Sequence, residues 1–127
     1  MDFLIRNGFT IEEIKIMMDT NDSIEYVNEK NINLLVSVLK ENNCTDIDIK
    51  NIFICNPFSI TNDINIICNL INKLKELKID NLNLLFTSNP YILNMSDKDL
   101  EKLYNKKKRE GLNNNEIIDF INYNIIF

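Results

Sequence analysis

The chain has no histidine and very little glycine, proline or cysteine. Its 127 residues include two glycines, two prolines and three cysteines. Without histidine the commonest general acid or base of enzymes is missing, and no glycine-rich phosphate loop or nucleophile motif can be found. These absences favour a protein that is not an enzyme and that carries no cofactor.

The three cysteines, Cys44, Cys55 and Cys68, show no Cys-x-x-Cys spacing, and there is no histidine to join them at a metal ion. An odd number of thiols cannot all pair within one chain. We therefore expect reduced, inert thiols in the core or at its boundary, and no metal site.

Two acid pairs remain as candidates for catalysis or for binding Mg²⁺: Asp46 with Asp48, and Asp97 with Asp99. Both pairs fall in the first turn of a predicted helix, where negative charge offsets the helix dipole. We interpret all four as helix-start residues, and we predict no catalytic residue.

The chain also lacks a long apolar run. No segment is long enough to span a bilayer, and the opening MDFLIRNGFTIEE has neither the basic flank nor the apolar centre of a secretory signal. With 45% hydrophobic and 26% charged residues, the composition suits one globular domain over residues 1–127. We expect a cytoplasmic protein that does not contact a membrane.

What the chain does contain is a recurring order of helix stops and helix starts. Successive starts lie 35, 35 and 33 residues apart, a period that is typical of stacked helical repeats. Glycine and asparagine reach the left-handed conformation that ends a helix, so Lys78 is the poorest member of the set. The stops are Gly8, Asn43, Lys78 and Gly111, and the starts are Thr10, Thr45, Asp80 and Asn113.

Within each period the pattern predicts a helix, a tight turn and a second helix. The apolar stripe of the first helix begins four residues after its start, and the helix ends at an asparagine. In the second and third units a proline, Pro57 or Pro90, directly follows this asparagine and prevents the helix from continuing. The segments PFSI and PYIL are short enough to form single 3₁₀ turns. The stripes begin at Ile14, Ile49, Leu84 and Ile117; the helices end at Asn21, Asn56, Asn89 and Asn124; the second helices start near Asn28, Thr61 and Ser96.

The predicted fold is therefore an all-α helical repeat, an α-solenoid of about 3.5 units and about seven helices, each unit being helix, 3₁₀ turn and helix. The units cover approximately residues 8–42, 43–77, 78–110 and, in part, 111–127. Residues 2–7 are interpreted as the end of a second helix whose beginning is missing.

This pattern resembles the mitochondrial transcription termination factor (mTERF) family, whose repeats open with Gly, an apolar residue and Ser or Thr, and turn at Pro-x-x-Leu. The turns NPFSI and NPYIL and the openings NGFTIEEI and EGLNNNEI carry the resemblance. It implies an mTERF-like fold and a protein that binds nucleic acid. In this chain Asp22 and Ile125 replace the turn proline of the first and last units.

The charges are unevenly distributed along the chain. Residues 1–60 carry ten acids and five bases, whereas residues 61–127 carry nine of each. Lys40, Lys75 and Lys108 occupy equivalent positions in successive units, so stacking would align them as a ladder that a phosphate backbone could follow. Lysine is also the usual solvated residue of a last helical turn. The candidate nucleic-acid-binding residues are Lys40, Lys75, Lys98, Lys102, Lys106, Lys107, Lys108 and Arg109.

Two functions remain open on this reasoning. The first is a protein-interaction module, favoured by the net charge of −5, which disfavours nonspecific binding to phosphate. The second is nucleic-acid binding through the late lysines. Exposed apolar ends of the stack also predict a protein partner or self-association. The residues expected at the carboxyl-terminal end are Ile118, Ile121, Ile125, Ile126 and Phe127.

Overall fold

A computed structural model describes residues 2–123 of the chain and the side chains of residues 3–123. These residues form nine α-helices and two 3₁₀ helices with no strand, which confirms an all-helical fold. The expectation of about seven helices was too low, because α5 is an additional short helix and α1, which was expected as the end of a second helix, is a helix of its own. The helices are α1 (Asp2–Arg6), α2 (Ile11–Thr20), η1 (Asp22–Tyr26), α3 (Glu29–Glu41), α4 (Asp46–Cys55), α5 (Phe58–Thr61), α6 (Ile64–Glu76), α7 (Leu82–Ser88), η2 (Pro90–Asn94), α8 (Asp97–Arg109) and α9 (Asn114–Tyr123).

All four predicted helix stops have a positive φ: 89° at Gly8, 70° at Asn43, 67° at Lys78 and 94° at Gly111. In each turn the amide of the stop residue donates to the carbonyl three residues back, and the next amide donates to the carbonyl five residues back. This is the Schellman pattern, which satisfies carbonyls at the end of a helix. The second set of bonds joins Phe9 to Leu4, Cys44 to Leu39, Ile79 to Leu74 and Leu112 to Lys107.

Three of the four predicted helix starts are confirmed. Thr10 accepts a hydrogen bond from the amide of Glu13, whose carboxylate accepts one from the amide of Thr10. The same reciprocal pair forms between Thr45 and Asp48 and between Asn113 and Glu116. The prediction of Asp80 was wrong, because Asn81 caps α7.

The predicted stripe of the third unit was also wrong, since Leu84 is 42% exposed. Asn89 follows its stop Lys78 by 11 residues, whereas Asn56 follows Asn43 by 13, so counting forward from the stop places the stripe incorrectly. Counting back from the asparagine aligns the buried Leu82, Leu85 and Phe86 of α7 with the buried Ile49, Ile52 and Phe53 of α4.

The asparagines that end the first helices are confirmed: Asn21, Asn56 and Asn89 are the C-caps of α2, α4 and α7. The following turns differ. Segments 22–26 and 90–94 are 3₁₀, but the predicted 3₁₀ turn after Pro57 is a single α-turn, α5. Because α5 includes Thr61, the cap of α6 is Asp63, while Asn28 and Ser96 cap α3 and α8 as predicted. The expected helix end at Asn124 lies outside the described residues.

The longer helices lie in two layers. Helices α2, α4, α7 and α9 contact one another in that order and are named the first-helix layer. Helices α3, α6 and α8 do the same and are named the second-helix layer. The two layers share one core, in which Phe53, Phe86 and Met17 are among the largest buried side chains. The outer face of each layer is therefore open to solvent.

Buried asparagines join the ends of neighbouring first helices. The Nδ2 of Asn21 donates to the Pro57 carbonyl (3.3 Å), and the Nδ2 of Asn56 donates to the equivalent Pro90 carbonyl (3.0 Å). The Nδ2 of Asn89 donates to the carbonyl of Ile121 (2.9 Å). Within the described residues the Oδ1 of Asn56 has no partner. Each side-chain amide therefore satisfies a carbonyl of the next helix or corner. Each bond links two segments that are more than 30 residues apart in the chain.

The expected apolar end of the stack is covered in its described part. Ile121 is fully buried and Ile118 is partly buried against the core, so the prediction that both are exposed was wrong. Helix α9 contacts both α7 and α8, and these contacts place Ile121 inside the core. Ile125, Ile126 and Phe127 lie outside the described residues.

Candidate functional site

The predicted basic residues all lie in the second-helix layer, in α3, α6 and α8. Lys40, Lys75 and Lys108 have the same place in their helices, because the carbonyl of each accepts a hydrogen bond from the following stop residue. The carboxyl-terminal ends of α3, α6 and α8 therefore present them at equivalent points of neighbouring helices. Lys98 lies in the first turn of α8, about 12 Å along the helix from Lys106, and does not belong to this cluster.

Several of these bases already have partners. Lys40 pairs with Asp46 (3.1 Å), and Lys107 pairs with Glu110 (3.2 Å) while its Nζ lies 4.3 Å from the centre of the Phe120 ring. Lys108 lies 5.4 Å from the ring centre of Tyr104. Within residues 3–123, six of the eight form no ion pair. Five of them are Lys75, Lys98, Lys102, Lys106 and Arg109, and the sixth, Lys108, makes the aromatic contact alone.

The two layers carry opposite charge. The first helices contain seven acids and two bases, and the second helices contain ten bases and six acids. The sequence indicated a difference between the two halves of the chain. In the folded chain the larger difference lies between the layers, because both halves contribute helices to each layer.

The outer face of the first-helix layer carries exposed apolar side chains that the sequence analysis did not identify. Ile16, Ile47 and Leu84 are 58%, 73% and 42% exposed. They lie on three neighbouring helices, since α2 contacts α4 and α4 contacts α7. The signal in the sequence was an isoleucine outside the buried stripe: Ile16 does not share the face of Ile14, and Ile47 does not share that of Ile49.

An open groove of about 520 Å³ runs along the corners, between the starts of α3 and α6. Tyr26, 84% exposed, stands at its side, and Asp63 is the one carboxylate among its lining residues. The Nδ2 of Asn31 donates to the carbonyl of Asn62, and its Oδ1 accepts from the backbone amide of Ile64. Asn28 and Asp63 cap α3 and α6. The polar groups of this groove therefore serve mainly to join and cap helices.

The first of the two acid pairs, Asp46 with Asp48, has structural partners. Asp48 completes the cap of α4, and Asp46 pairs with Lys40. Asp97 and Asp99 lie in the first turn of α8, as the sequence predicts. Among the described residues, no group of three potential metal ligands lies close together.

The pKa values of three groups, Glu13, Lys73 and Cys44, are shifted from the ordinary values of these side chains. The pKa of Glu13 is lowered by the hydrogen bond from the Thr10 amide and then by Lys50, at 2.9 Å. Burial opposes ionisation of Lys73, but its ion pairs with Glu101 and Glu76 outweigh this and raise its pKa.

The thiols form no disulfide in the described part of the chain. Burial, with a smaller contribution from Asp48, raises the pKa of Cys44 to about 11. Cys68 is partly buried, as expected. The prediction that all three lie in the core or at its boundary was wrong for Cys55, which is exposed next to the corner at Asn56.

No protein-family model, no curated protein and no solved structure matches the chain. No helix within residues 2–123 combines the length and apolar character that crossing a bilayer requires.

Proposed function

We propose that the chain is a helical-repeat (α-solenoid) module, built like the repeats of the mTERF family, and that it binds a protein partner without chemistry of its own. The repeated geometry of the four stops, and the contacts of first helices with first helices and of second helices with second helices, support the repeat. Such a fold presents broad surfaces rather than an enclosed site.

The observation that carries the choice of a protein partner is the set of exposed apolar residues on neighbouring first helices, Ile16, Ile47 and Leu84. Apolar side chains grouped on one face and surrounded by polar ones are typical of protein-interaction surfaces. The same face lies in the acidic layer, where a phosphate backbone would be repelled.

Site-specific photo-cross-linking tests this function. A benzophenone amino acid at position 47 reports on the first-helix layer, and the same amino acid at position 66 is the matched control, because Ile66 is also exposed (43%) but lies in the second-helix layer. In cells that express the chain, we expect defined protein adducts from position 47 that are absent or weaker from position 66. Equal adducts from both positions, or none from either, would contradict the proposal.

The second candidate, mTERF-like binding of DNA or RNA, is supported by the placement of the eight basic residues in one layer. If nucleic acid binds there, affinity for single- or double-stranded DNA or RNA falls steeply with salt, since each phosphate contact releases counterions. Neutralising Lys75, Lys102 and Lys106 should then weaken binding and flatten the salt dependence. If no nucleic acid is retained even at low salt, this candidate is rejected.

A further inference from the structure

The outer face of the first-helix layer has an apolar centre and an acidic rim. Positions spaced by four and three residues share the outward side of a helix. On α2 these are Glu12, Lys15, Ile16 and Asp19, and on α4 they are Ile47 and Asn51. The corresponding outward positions are Leu84 and Thr87 on α7 and Asn115 and Asp119 on α9.

The rows contain one base, the exposed Lys15, which lies three residues after Glu12 and four before Asp19 and forms no ion pair within residues 3–123. The other lysine of the first-helix layer, Lys50, is taken up by Glu13 and by the carbonyl of Gly8 at 2.9 Å. The acids of the rim, in contrast, are exposed: Glu12, Asp19 and Asp119. With three acids and one base, this face combines apolar surface with a net negative charge.

Helix-end preferences do not account for all of the rim. Acids are favoured in a first turn by the helix dipole, which explains Glu12. Asp19 lies in the last turn of α2, where the dipole disfavours a carboxylate, and Asp119 lies in the middle of α9. The helix dipole therefore explains neither charge, and within α2 the base nearest in sequence to Asp19 is Lys15, four residues earlier, a spacing that stabilises a helix only slightly.

We propose that this face, the outward rows of α2, α4, α7 and α9, binds a segment of a protein partner that is rich in lysine or arginine and carries apolar side chains in helical spacing. The proposal rests on the proposed function and names the chemistry of its partner. Ile16, Ile47 and Leu84 contact the apolar side of the segment, and Glu12, Asp19 and Asp119 pair with its bases. A peptide helix of about 20 residues is about 30 Å long, which matches the distance from α2 to α9, three steps of about 10 Å between neighbouring helices.

The test uses two fluorescent model peptides of this length, one of leucine and lysine in an amphipathic helical pattern and one of leucine and glutamate in the same pattern. Fluorescence anisotropy at low and physiological salt measures their binding to the full chain. We expect the lysine peptide to bind, more weakly at higher salt, and the glutamate peptide not to bind.

Two pairs of variants separate the face from the rest of the surface. The apolar variant, Ile16→Ser with Ile47→Ser and Leu84→Ser, should weaken binding about tenfold or more, since apolar burial is lost. Its control, Leu34→Ser with Ile66→Ser in the second-helix layer, should not change binding. The charge variant Glu12→Gln, Asp19→Asn and Asp119→Asn should weaken it similarly, whereas Asp22→Asn, Glu25→Gln and Glu41→Gln, which remove the same charge elsewhere, should not.

Three results would overturn the proposal: no binding of the lysine peptide, equal weakening by a variant and its control, or self-association of the chain that the apolar variant abolishes, which would make a second copy the occupant. Helical circular dichroism confirms that each variant is folded. Because position 47 is tested separately by cross-linking, protein adducts there without peptide binding would leave the proposed function standing and reject only this partner chemistry.

Discussion

The two layers differ in helix length and in the sign of their charge. Second helices α3, α6 and α8 have 13 residues each, whereas the first helices α2, α4 and α7 have 10, 10 and 7. At the left-handed turns second helices end and first helices begin. Bases are favoured at the negative end of a helix dipole and acids at the positive end, so chain direction alone accounts for part of the charge difference.

Some charges do not follow from chain direction. Asp19 lies in the last turn of α2, and Lys98 lies in the first turn of α8. Both positions oppose the helix dipole. The comparison of the layers therefore separates charges that serve helix ends from charges that another contact must explain, and the latter are the better candidates for binding.

The largest expected effect on stability compares two adjacent leucines of α7, one on the inward and one on the outward side of the first-helix layer. Leu85→Ala should lower the free energy of unfolding by about 3 kcal/mol, because a fully buried side chain leaves a cavity. Leu84→Ala, at a 42% exposed position, should change it by less than about 1 kcal/mol. Urea unfolding measures both. If Leu84→Ala were the more destabilising of the two, Leu84 would be the buried residue, as the sequence pattern predicted.

The next effect tests the joints between neighbouring first helices. Asn56→Ala removes the donor to the Pro90 carbonyl and to the Oδ1 of Asn94, both about 3.0 Å from Nδ2, and should cost about 2 kcal/mol. Asn51→Ala on the exposed face of the same helix is the control. If the two variants unfold at the same urea concentration, the buried amide does not stabilise the joint.

A smaller effect concerns the turn that connects the layers at Lys78. A non-glycine residue at φ 67° is strained, so Lys78→Gly should raise the free energy of unfolding by about 0.5–1 kcal/mol. Lys75→Gly, three residues earlier within α6, should lower it by about 1 kcal/mol. Thermal unfolding followed by circular dichroism gives both signs; a loss of stability in Lys78→Gly would show that the lysine side chain stabilises the turn.

The smallest expected effect concerns the thiol of Cys44 and appears only at alkaline pH. Cys44, which packs at another of these turns, has a pKa raised from 9.0 to about 11 because burial disfavours its thiolate. The stability that the buried neutral thiol contributes is fully present below pH 9 and is lost as pH rises through 11. Cys44→Ala should therefore lose stability less steeply than the unaltered chain over this range, as urea unfolding at a series of alkaline pH values measures. Parallel curves for the two proteins would contradict the raised pKa.

Residues close in sequence were predicted well and residues that meet in space were not. Thr45 and Asp48 cap a helix through bonds three residues apart, so the pattern contains both partners. The exposure of Ile47 and Leu84 was missed because it depends on which neighbouring helix covers each side. The failure at α7 has the same origin, since its buried stripe is set by contacts with α4 and α9.

The sequence by itself determined the all-helical composition, the four left-handed stops, three of the four helix starts and the asparagine corners, because each depends on backbone conformation and hydrogen bonds within a few residues. The tertiary structure decided the register of α7, the partners of the buried asparagine amides and the assembly of acids and bases in separate layers. These depend on contacts between helices that are far apart in the chain, and such contacts decide which side of each helix faces the core and which remains for a partner.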